Sequence, residues 1–236
     1  IRAAVQMVEE GVCRPVLLGR RAAIEARARA LGEVDLGGVD VVDVTAADEM
    51  RGGFARTLFR RRARKGLTLT EAEWKMSKPI YLACGLLAAG EAEAVVAGIE
   101  ANYPEIIRPA LEVVGADPAM GRVAGLYMVA FPNRDLLFFA DTTVTIDPDA
   151  RALSEIALLS AGFVEELGIT PRIGLVSFSN FGSARHPESD KVARAVELVR
   201  RARPELEVDG ELQADTALDA RQLTHTYPFS HLTHSA

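Results

Sequence analysis

The chain has 236 residues, 25% of them charged and 49% drawn from AVILMFWYC, which is the composition of a globular protein and too apolar for a disordered one. Lysine and arginine number 27 against 33 aspartates and glutamates, a net charge of −6 that argues against a general nucleic-acid binder. Two cysteines (Cys13 and Cys84), a longest apolar run of about half the ~20 residues that span a bilayer (Ile80 to Ala89), and no secretory signal exclude disulfide-scaffold, membrane and secreted classes and lead us to expect the cytoplasm.

Arg2 to Glu10 reads as the middle of an amphipathic helix, so the chain, which opens on Ile1 and stops soon after a turn-rich stretch, is expected to be cut at both ends. Arg14 to Gly19 is a β-rich run closed by glycine. Arg21 to Leu31 carries Ile24, Ala28 and Leu31 at helical spacing, with Gly32 as its stop. Val39 to Val44 is the next strand. Ala46 to Lys65 is predicted helical with an interruption at Gly52-Gly53, and Glu71 to Ala89 as one or two helices with a break at Pro79. Ala94 to Ala97 is predicted as a small buried strand ending at Gly98. Tyr103 to Val114 is a helix entered through Pro104, a first-turn position where the missing N–H costs nothing.

Strand and helix alternating in this way need crossover connections, hence a mostly parallel sheet with helices on both faces. The pattern changes near Gly125. Gly125 to Phe131 and Leu136 to Ala140 flank the turn sequence Pro132-Asn133-Arg134-Asp135, which predicts a hairpin. Asp147-Pro148 then reads as a cap and first-turn proline, with Leu153, Ile156, Phe163, Val164 and Leu167 on one helix face and Gly168 as the stop. Arg172 to Phe178 is a strand, Pro187 to Arg203 a helix with Val192, Val196 and Val199 inward, and Leu206 to Val208 a short strand leading into Asp209-Gly210-Glu211. A domain change is placed near residues 117–125, giving a first α/β domain over 1–120 and a second over 121–236.

The most informative segment for chemistry is Ser177-Phe178-Ser179-Asn180-Phe181-Gly182-Ser183, between a strand and a helix. Ligands of open α/β folds sit beyond the carboxyl ends of strands, and this loop could offer hydroxyls, backbone N–H groups and a helix N-terminus to an anion. An ordinary polar loop is the alternative. Asp209, Glu211 and Asp215, with the amide of Gln213, place three carboxylates and an amide in seven residues that could bind a metal, orient basic groups or cap a helix, with pairing to basic groups preferred over a metal. Arg108 suits phosphate through its planar fork, although a plain surface arginine explains it as well. Arg56, Arg60, Arg61, Arg62, Arg64 and Lys65 read mainly as a solvated helix face, with a local anion site as the other reading. His225, His231 and His234 lie in a tail expected to fray; His231 and His234 could share a helix face, but no metal site is expected. Cys13 and Cys84 are expected in the core. Neither G-x-G-x-x-G nor G-x-x-x-x-G-K-[ST] occurs, so no nucleotide fingerprint supports a dinucleotide or P-loop fold.

Several segments together resemble a known family. Arg14 to Gly19 resembles its R-P-[IV]-L-[LV]-G strand, and Arg62 to Gly66 its R-x-H-K-G element with Arg64 in the histidine place. Arg108 to Leu111 resembles L-R-P-A-L behind Ile107, and Phe139-Ala140-Asp141 with Asp147-Pro148 resembles F-A-D…[ND]-P. Ser177 to Ser183 resembles S-[YF]-S-x-x-G-S, Lys191-Val192 the following K-V, and Asp209 to Asp215 resembles D-G-E-L-Q-x-D. This is the phosphate acetyl/butyryltransferase (phosphotransacetylase) family. Tyr103-Pro104, Asp141 to Thr145 and Ser179 to Ser183 with His186-Pro187 are most similar to the C-terminal phosphotransacetylase-like domain of bacterial hybrid NADP-dependent malic enzymes.

The resemblance implies two three-layer α/β/α domains with mostly parallel sheets and a cleft between them, of the phosphotransacetylase and isocitrate-dehydrogenase-like kind. It implies acetyl-CoA or CoA as ligand, with phosphate or acetyl phosphate. Arg62, Arg108, Ser177, Ser179, Asn180, Gly182, Ser183 and Lys191 would bind acyl-CoA or phosphate, and Asp141, Asp209, Glu211 and Asp215 would organise the cleft. The family's catalytic serine, arginine and aspartate lie in an N-D-L-S-R-G-like segment beyond Ala236, so no catalytic residue is assigned here. The first expectation is therefore an acetyl-CoA-binding regulatory domain of a malic enzyme, a homo-oligomer whose preceding part would hold NADP and a divalent metal. The alternative is an active phosphate acetyltransferase.

Overall fold

The computed structural model describes residues 1–32, 34–99, 101–116, 121–132, 134–234 and 236. The chain divides into two compact units, Ile1–Gly115 and Ala116–Ala236. The expected domain change near 117–125 falls in part on residues 117–120, outside the described residues. The fold is mixed α/β with parallel sheets.

In the first unit, α1 (Arg2–Glu9) precedes β1 (Val16–Gly19) and β2 (Asp40–Asp43), which pair in parallel with Val16 opposite Asp40 and Gly19 opposite Asp43. The crossover is α2 (Arg21–Ala30), whose first amide, Arg21 N, donates to Asp43 Oδ2 at 3.0 Å. Helix α3 (Asp48–Arg62) carries acids in its first turn and Arg60, Arg61 and Arg62 in its last, the order its dipole favours. It runs unbroken through Gly52-Gly53, against expectation. Burial of Ala55 and Leu58 outweighs the ~1 kcal/mol that each mid-helix glycine costs.

A 3₁₀ turn (Ala63–Lys65) leads to α4 (Leu69–Met76), opened by a capping box in which Glu71 N donates to Thr68 Oγ1 at 3.2 Å and Thr68 N to Glu71 Oε2 at 2.8 Å. Pro79 stands at the first position of α5 (Pro79–Ala89), which accounts for the break before it. Helix α6 (Tyr103–Pro109) then continues into a π turn (Ala110–Val114). The core joins Ala55, Leu58, Met76, Tyr81, Cys84 and Val113.

Two further expectations fail in this unit. Ala94 to Ala97 is not a strand and is not buried: Val96 is 94% exposed, because a strand needs a neighbour for its backbone groups and none lies beside it among the described residues. Cys13 is exposed, beyond the end of α1, with its Sγ 3.8 Å from Met7 Sδ, while Cys84 is buried as expected.

In the second unit, β3 (Leu126–Phe131) and β4 (Arg134–Ala140) form the predicted antiparallel hairpin, with Leu126 opposite Ala140 and Tyr127 opposite Phe139. Asn133 of its turn lies outside the described residues. Strands β5 (Arg172–Val176) and β6 (Glu207–Leu212) pair in parallel, and α7 (Ala150–Glu166) and α8 (Pro187–Ala202) pack on each other and on this pair. Val192, Val196 and Val199 are buried with Leu175 and Val208, as their spacing predicted. The unit ends in α9 (Ala214–Leu218) and a π turn (Gln222–Thr226).

Four local expectations are corrected. The cap of α7 is Asp149, whose Oδ1 accepts from Ala152 N at 2.7 Å, not Asp147. Phe163 and Leu167 are about half exposed; the inward face is Ala152, Ile156, Ala157, Ala161 and Val164, where small side chains allow close approach. Strand β6 runs on through Asp209, Gly210 and Glu211, so these residues lie within the strand rather than after it. The C-terminal tail is not frayed, since Leu223 and Leu232 are buried against Leu212 and Ala217, and His231 and His234 lie outside any helix.

Candidate functional site

Strands β5 and β6 deliver the segments 177–183 and 209–213 side by side. Ser177 N donates to Leu212 O at 2.9 Å and Phe181 N to Glu211 O at 2.8 Å. Ser179 is wholly buried; its Oγ donates to Glu211 Oε1 at 3.0 Å and accepts from Ala184 N at 3.1 Å. Gly182, at φ +82° in the left-handed region, donates its N–H to the same Oε1 at 2.5 Å. Asn180 and Gln213 bond reciprocally: Gln213 N donates to Asn180 Oδ1 at 2.7 Å, Asn180 Nδ2 to Gln213 Oε1 at 3.1 Å, and Gln213 Nε2 to Phe178 O at 2.8 Å. Asn180 N donates to Ser183 Oγ, and Ser183 N to Asn180 O, both at 3.0 Å.

The structure thus brings Ser179, Asn180, Gly182, Ser183 and Glu211 together. It does not leave the loop's backbone donors open to an anion, as expected, because the N–H groups of residues 180–184 all bond within the loop or to Glu211. The Glu211 side chain occupies the position an external anion would take against Ser179 and Gly182. The start of α8 is similarly committed: His186 Nδ1 accepts from Glu188 N at 3.2 Å, and Glu188 and Asp190 already stand in the first turn. The Ser183 hydroxyl is committed as well: its Oγ lies 3.3 Å from Ser179 Oγ, whose own proton goes to Glu211.

The remaining expected residues of this unit lie apart from that loop. Lys191 pairs with Glu188 at 2.5 Å and with Asp147 at 3.7 Å, and the Glu188 bond holds its ammonium above the usual lysine range. Asp141 follows β4 and accepts from Gly125 N (3.1 Å), Thr143 N (3.1 Å), Val144 N (3.0 Å) and Thr145 N (2.9 Å). Burial opposes its charge, but these bonds prevail and keep its carboxyl below the usual aspartate range. Buried Asp209 accepts from Arg200 Nη2 at 2.6 Å, Ser230 Oγ at 2.9 Å and His231 N at 2.7 Å, tying α8 and the C-terminal segment to β6. Asp215 is exposed and, among the described residues, accepts from its neighbour Thr216 N alone, at 3.0 Å, so it does not join Asp209 and Glu211.

In the first unit the organising group is Glu112, on the π turn. Its Oε2 accepts from Tyr81 Oη at 2.8 Å and pairs with Lys75 Nζ. Burial opposes the charge of Glu112, yet the bonds from Lys75 and Tyr81 and the fields of Lys75 and Arg62 hold its carboxyl below the usual range. Burial first, then the bond to Glu112, pushes the Tyr81 hydroxyl well above the ordinary tyrosine range, while Arg108 and Arg62 pull it back. Both arginines therefore act on one phenol. Arg61 bonds Val113 O and Val114 O, fixing the turn that carries Glu112. Among the described residues no hydrogen bond or ion pair holds the Arg62 or Arg108 guanidinium.

Lys75, Tyr81, Glu112 and Arg200 were not singled out in the sequence. A tyrosine within the otherwise apolar run Ile80 to Ala89 was the one signal available, whereas Lys75 and Glu112 meet across 37 positions with no local mark. Among the described residues no group of three or more His, Cys, Asp or Glu could hold a metal ion, and no helix is long and apolar enough to cross a membrane.

Comparison with known proteins adds a second line of observation. The family described as Phosphate acetyl/butaryl transferase matches residues 1–236. A phosphate acetyltransferase of Acetivibrio thermocellus is 32% identical over 224 residues, covering 92% of this chain and 66% of that protein. An NADP-dependent malic enzyme of Escherichia coli is 34% identical over 238 residues, covering all of this chain and 31% of that protein. Among solved structures, the EutD phosphotransacetylase from Staphylococcus aureus superposes with a TM-score of 0.83 at 25% identity, over 100% of this chain and 71% of that one. The chain thus spans about two thirds of the first of these relatives and about a third of the second.

Proposed function

The chain belongs to the phosphate acetyl/butyryl transferase family, and on that premise we propose that it carries much of a site for moving an acetyl group between CoA and phosphate. The observation that carries this reading is the pair of guanidinium groups, Arg62 and Arg108, whose charges both act on Tyr81, Arg62 on Glu112 as well, and which have no hydrogen-bond or ion-pair partner of their own among the described residues. A planar guanidinium fork matches two phosphate oxygens, so these arginines hold phosphate or the phosphoryl end of acetyl phosphate. In the second unit, Ser179, Asn180, Gly182, Ser183 and Glu211 keep their own loop in shape.

In the transfer, the CoA thiolate attacks the carbonyl carbon of acetyl phosphate. The carbon–oxygen bond to phosphate breaks, and phosphate departs with that electron pair. The residues contribute by positioning the two substrates and by offsetting charge on the departing phosphate. CoA is a substrate here, and the compartment we assign is the cytoplasm, consistent with two free cysteines. CoA-dependent arsenolysis of acetyl phosphate by the purified protein tests the reading; turnover that falls about a hundredfold or more in Arg108→Ala supports it. No CoA-dependent turnover would sink it.

A second reading is favoured by the 34% identity to the Escherichia coli NADP-dependent malic enzyme over the whole chain and by Tyr103-Pro104, which resembles the phosphotransacetylase-like domain of such enzymes. Here acetyl-CoA binds without turnover and shifts the activity of a malate-oxidising part that holds NADP and a divalent metal, in a homo-oligomer. Acetyl-CoA binding heat with no arsenolysis distinguishes this reading from the first.

A further inference from the structure

We propose that Lys75 is a positioning residue for the anion site: it holds the Glu112 carboxylate and thereby keeps Arg62 and Arg108 free to take phosphate. The inference rests on the phosphate-binding reading of those two arginines given above.

Three cations compete for Glu112. Arg108 precedes it by four residues on the helical stretch made by α6 and the π turn, the spacing at which opposite charges on a helix meet. Arg62 ends α3, and its neighbour Arg61 bonds Val113 O and Val114 O, which anchors the end of α3 to the turn just after Glu112. The field of Arg62 reaches the carboxylate. Among the described residues, however, neither Arg62 nor Arg108 pairs with it. The Glu112 Oε2 takes Lys75 Nζ and, at 2.8 Å, Tyr81 Oη. The Lys75 and Glu112 side chains are 19% and 12% exposed, and Lys75 Nζ lies 5.4 Å from the centroid of the Tyr81 ring. The ammonium is therefore held from two sides, by a carboxylate and by an aromatic face.

That the partner is a lysine has a physical consequence. A half-buried carboxylate without a cation is costly, so Glu112 deprived of Lys75 draws in another positive group. A guanidinium whose fork is closed on a carboxylate has no fork left for phosphate. An ammonium is a compact point charge and satisfies the carboxylate without engaging either planar fork. With the pair in place, Lys75 offsets Glu112 and both arginines present their charge to an incoming anion.

Calorimetric titration with inorganic phosphate tests the proposal on the full protein and on Lys75→Met, Lys75→Arg, Lys75→Met with Glu112→Gln, and Lys78→Met. Lys75→Met is expected to weaken phosphate binding about tenfold or more, as an arginine turns to Glu112. Adding Glu112→Gln should restore affinity to within about threefold of the starting protein, because the competitor is gone. Lys75→Arg should retain it. Lys78→Met removes the same charge from exposed Lys78, which stands over the Trp74 ring, and should leave affinity unchanged. A Lys75→Met protein that binds phosphate normally overturns the proposal. So does a double variant as weak as Lys75→Met, since a packing defect would not be repaired by a second change. Binding lost in Arg108→Ala but kept in Lys75→Met overturns this inference alone; a starting protein that binds no phosphate overturns the reading of the arginines and this inference with it. Circular dichroism reports folding. If Lys75→Met does not fold, Glu112→Gln decides: phosphate binding at least as tight as in the starting protein supports the proposal, and weaker binding overturns it.

Discussion

Ser179 and Glu211, 32 positions apart in the sequence, are joined by a 3.0 Å hydrogen bond between two buried side chains. The same carboxylate oxygen takes the Gly182 N–H, so one strand residue sets the path of a whole loop on the neighbouring strand.

Glu211→Ala removes the acceptor of the buried Ser179 hydroxyl and of the more exposed Gly182 N–H, and a buried donor left without an acceptor costs about 1–3 kcal/mol. Urea unfolding is expected to show a loss of about 2–4 kcal/mol for Glu211→Ala and about 1–2 kcal/mol for Ser179→Ala. The double variant is expected to depart from additivity by at least ~0.5 kcal/mol, and strict additivity would contradict the pairing.

Two glycines are expected to respond in a fixed order. At Gly210, φ +148°, an added Cβ would lie 2.5 Å from Leu175 O on the paired strand, where neither backbone can yield. At Gly182 the space is open and only the left-handed conformation is unfavourable, by about 1–2 kcal/mol. Thermal melts should therefore place Gly210→Ala well below Gly182→Ala, and the reverse order would mean that the β5–β6 contact is looser than described.

Stability should fall at both ends of the pH scale for identifiable reasons. Glu112 and Asp141 have carboxyls held below their ordinary range, so the unfolded chain binds protons first. Their contribution is complete above pH ~4–5 and disappears as pH falls through their lower folded values. Tyr81 is shifted upward, so its contribution is complete below pH ~10 and declines as pH rises beyond that. Urea midpoints measured across pH should show a shallower acid slope in Glu112→Gln and a shallower alkaline slope in Tyr81→Phe; unchanged slopes would show that these groups are not coupled to folding.

Arg62→Ala and Arg108→Ala should separate binding from stability. Because no intramolecular bond holds either guanidinium among the described residues, each change is expected to alter stability by no more than about 0.5 kcal/mol. Phosphate affinity by calorimetry should fall about tenfold or more in each, as a charge-assisted bond is lost. A drop in melting temperature with unaltered affinity would assign the arginines to the scaffold instead.

Asp209→Ala should release the end of the chain. It removes the acceptor for Ser230 and His231 and leaves Arg200 beside a vacated position, for a loss of about 2–4 kcal/mol once the partial exposure of Arg200 is discounted. Hydrogen exchange at the His231 amide should accelerate by two or more orders of magnitude relative to Val208 in the same strand pair.

Where burial follows periodicity, the fold could be read from residues alone: Val192, Val196 and Val199 on α8, the Pro79 break and the hairpin around Pro132. It could not where a distant neighbour decides. Ala94 to Ala97 has strand composition but no strand beside it, and on α7 the bulky Phe163 and Leu167 gave way to alanines that fit closer to the core. The loop of Ser177 to Ser183 was recognisable as a feature from its composition. Its internal saturation was not, because the acceptor responsible, Glu211, arrives from another strand.

The clasp between Asn180 and Gln213 also makes this loop sensitive to chemical ageing. Each amide donates and accepts at once, and Gln213 Nε2 is already occupied by Phe178 O. Loss of ammonia from Asn180 would set oxygen against Gln213 Oε1, and Gln213 could turn to accommodate it only by releasing Phe178. A single hydrolysed side chain would thus slacken the loop with no change elsewhere in the fold, a form of wear that accumulates with the age of the molecule rather than with its use.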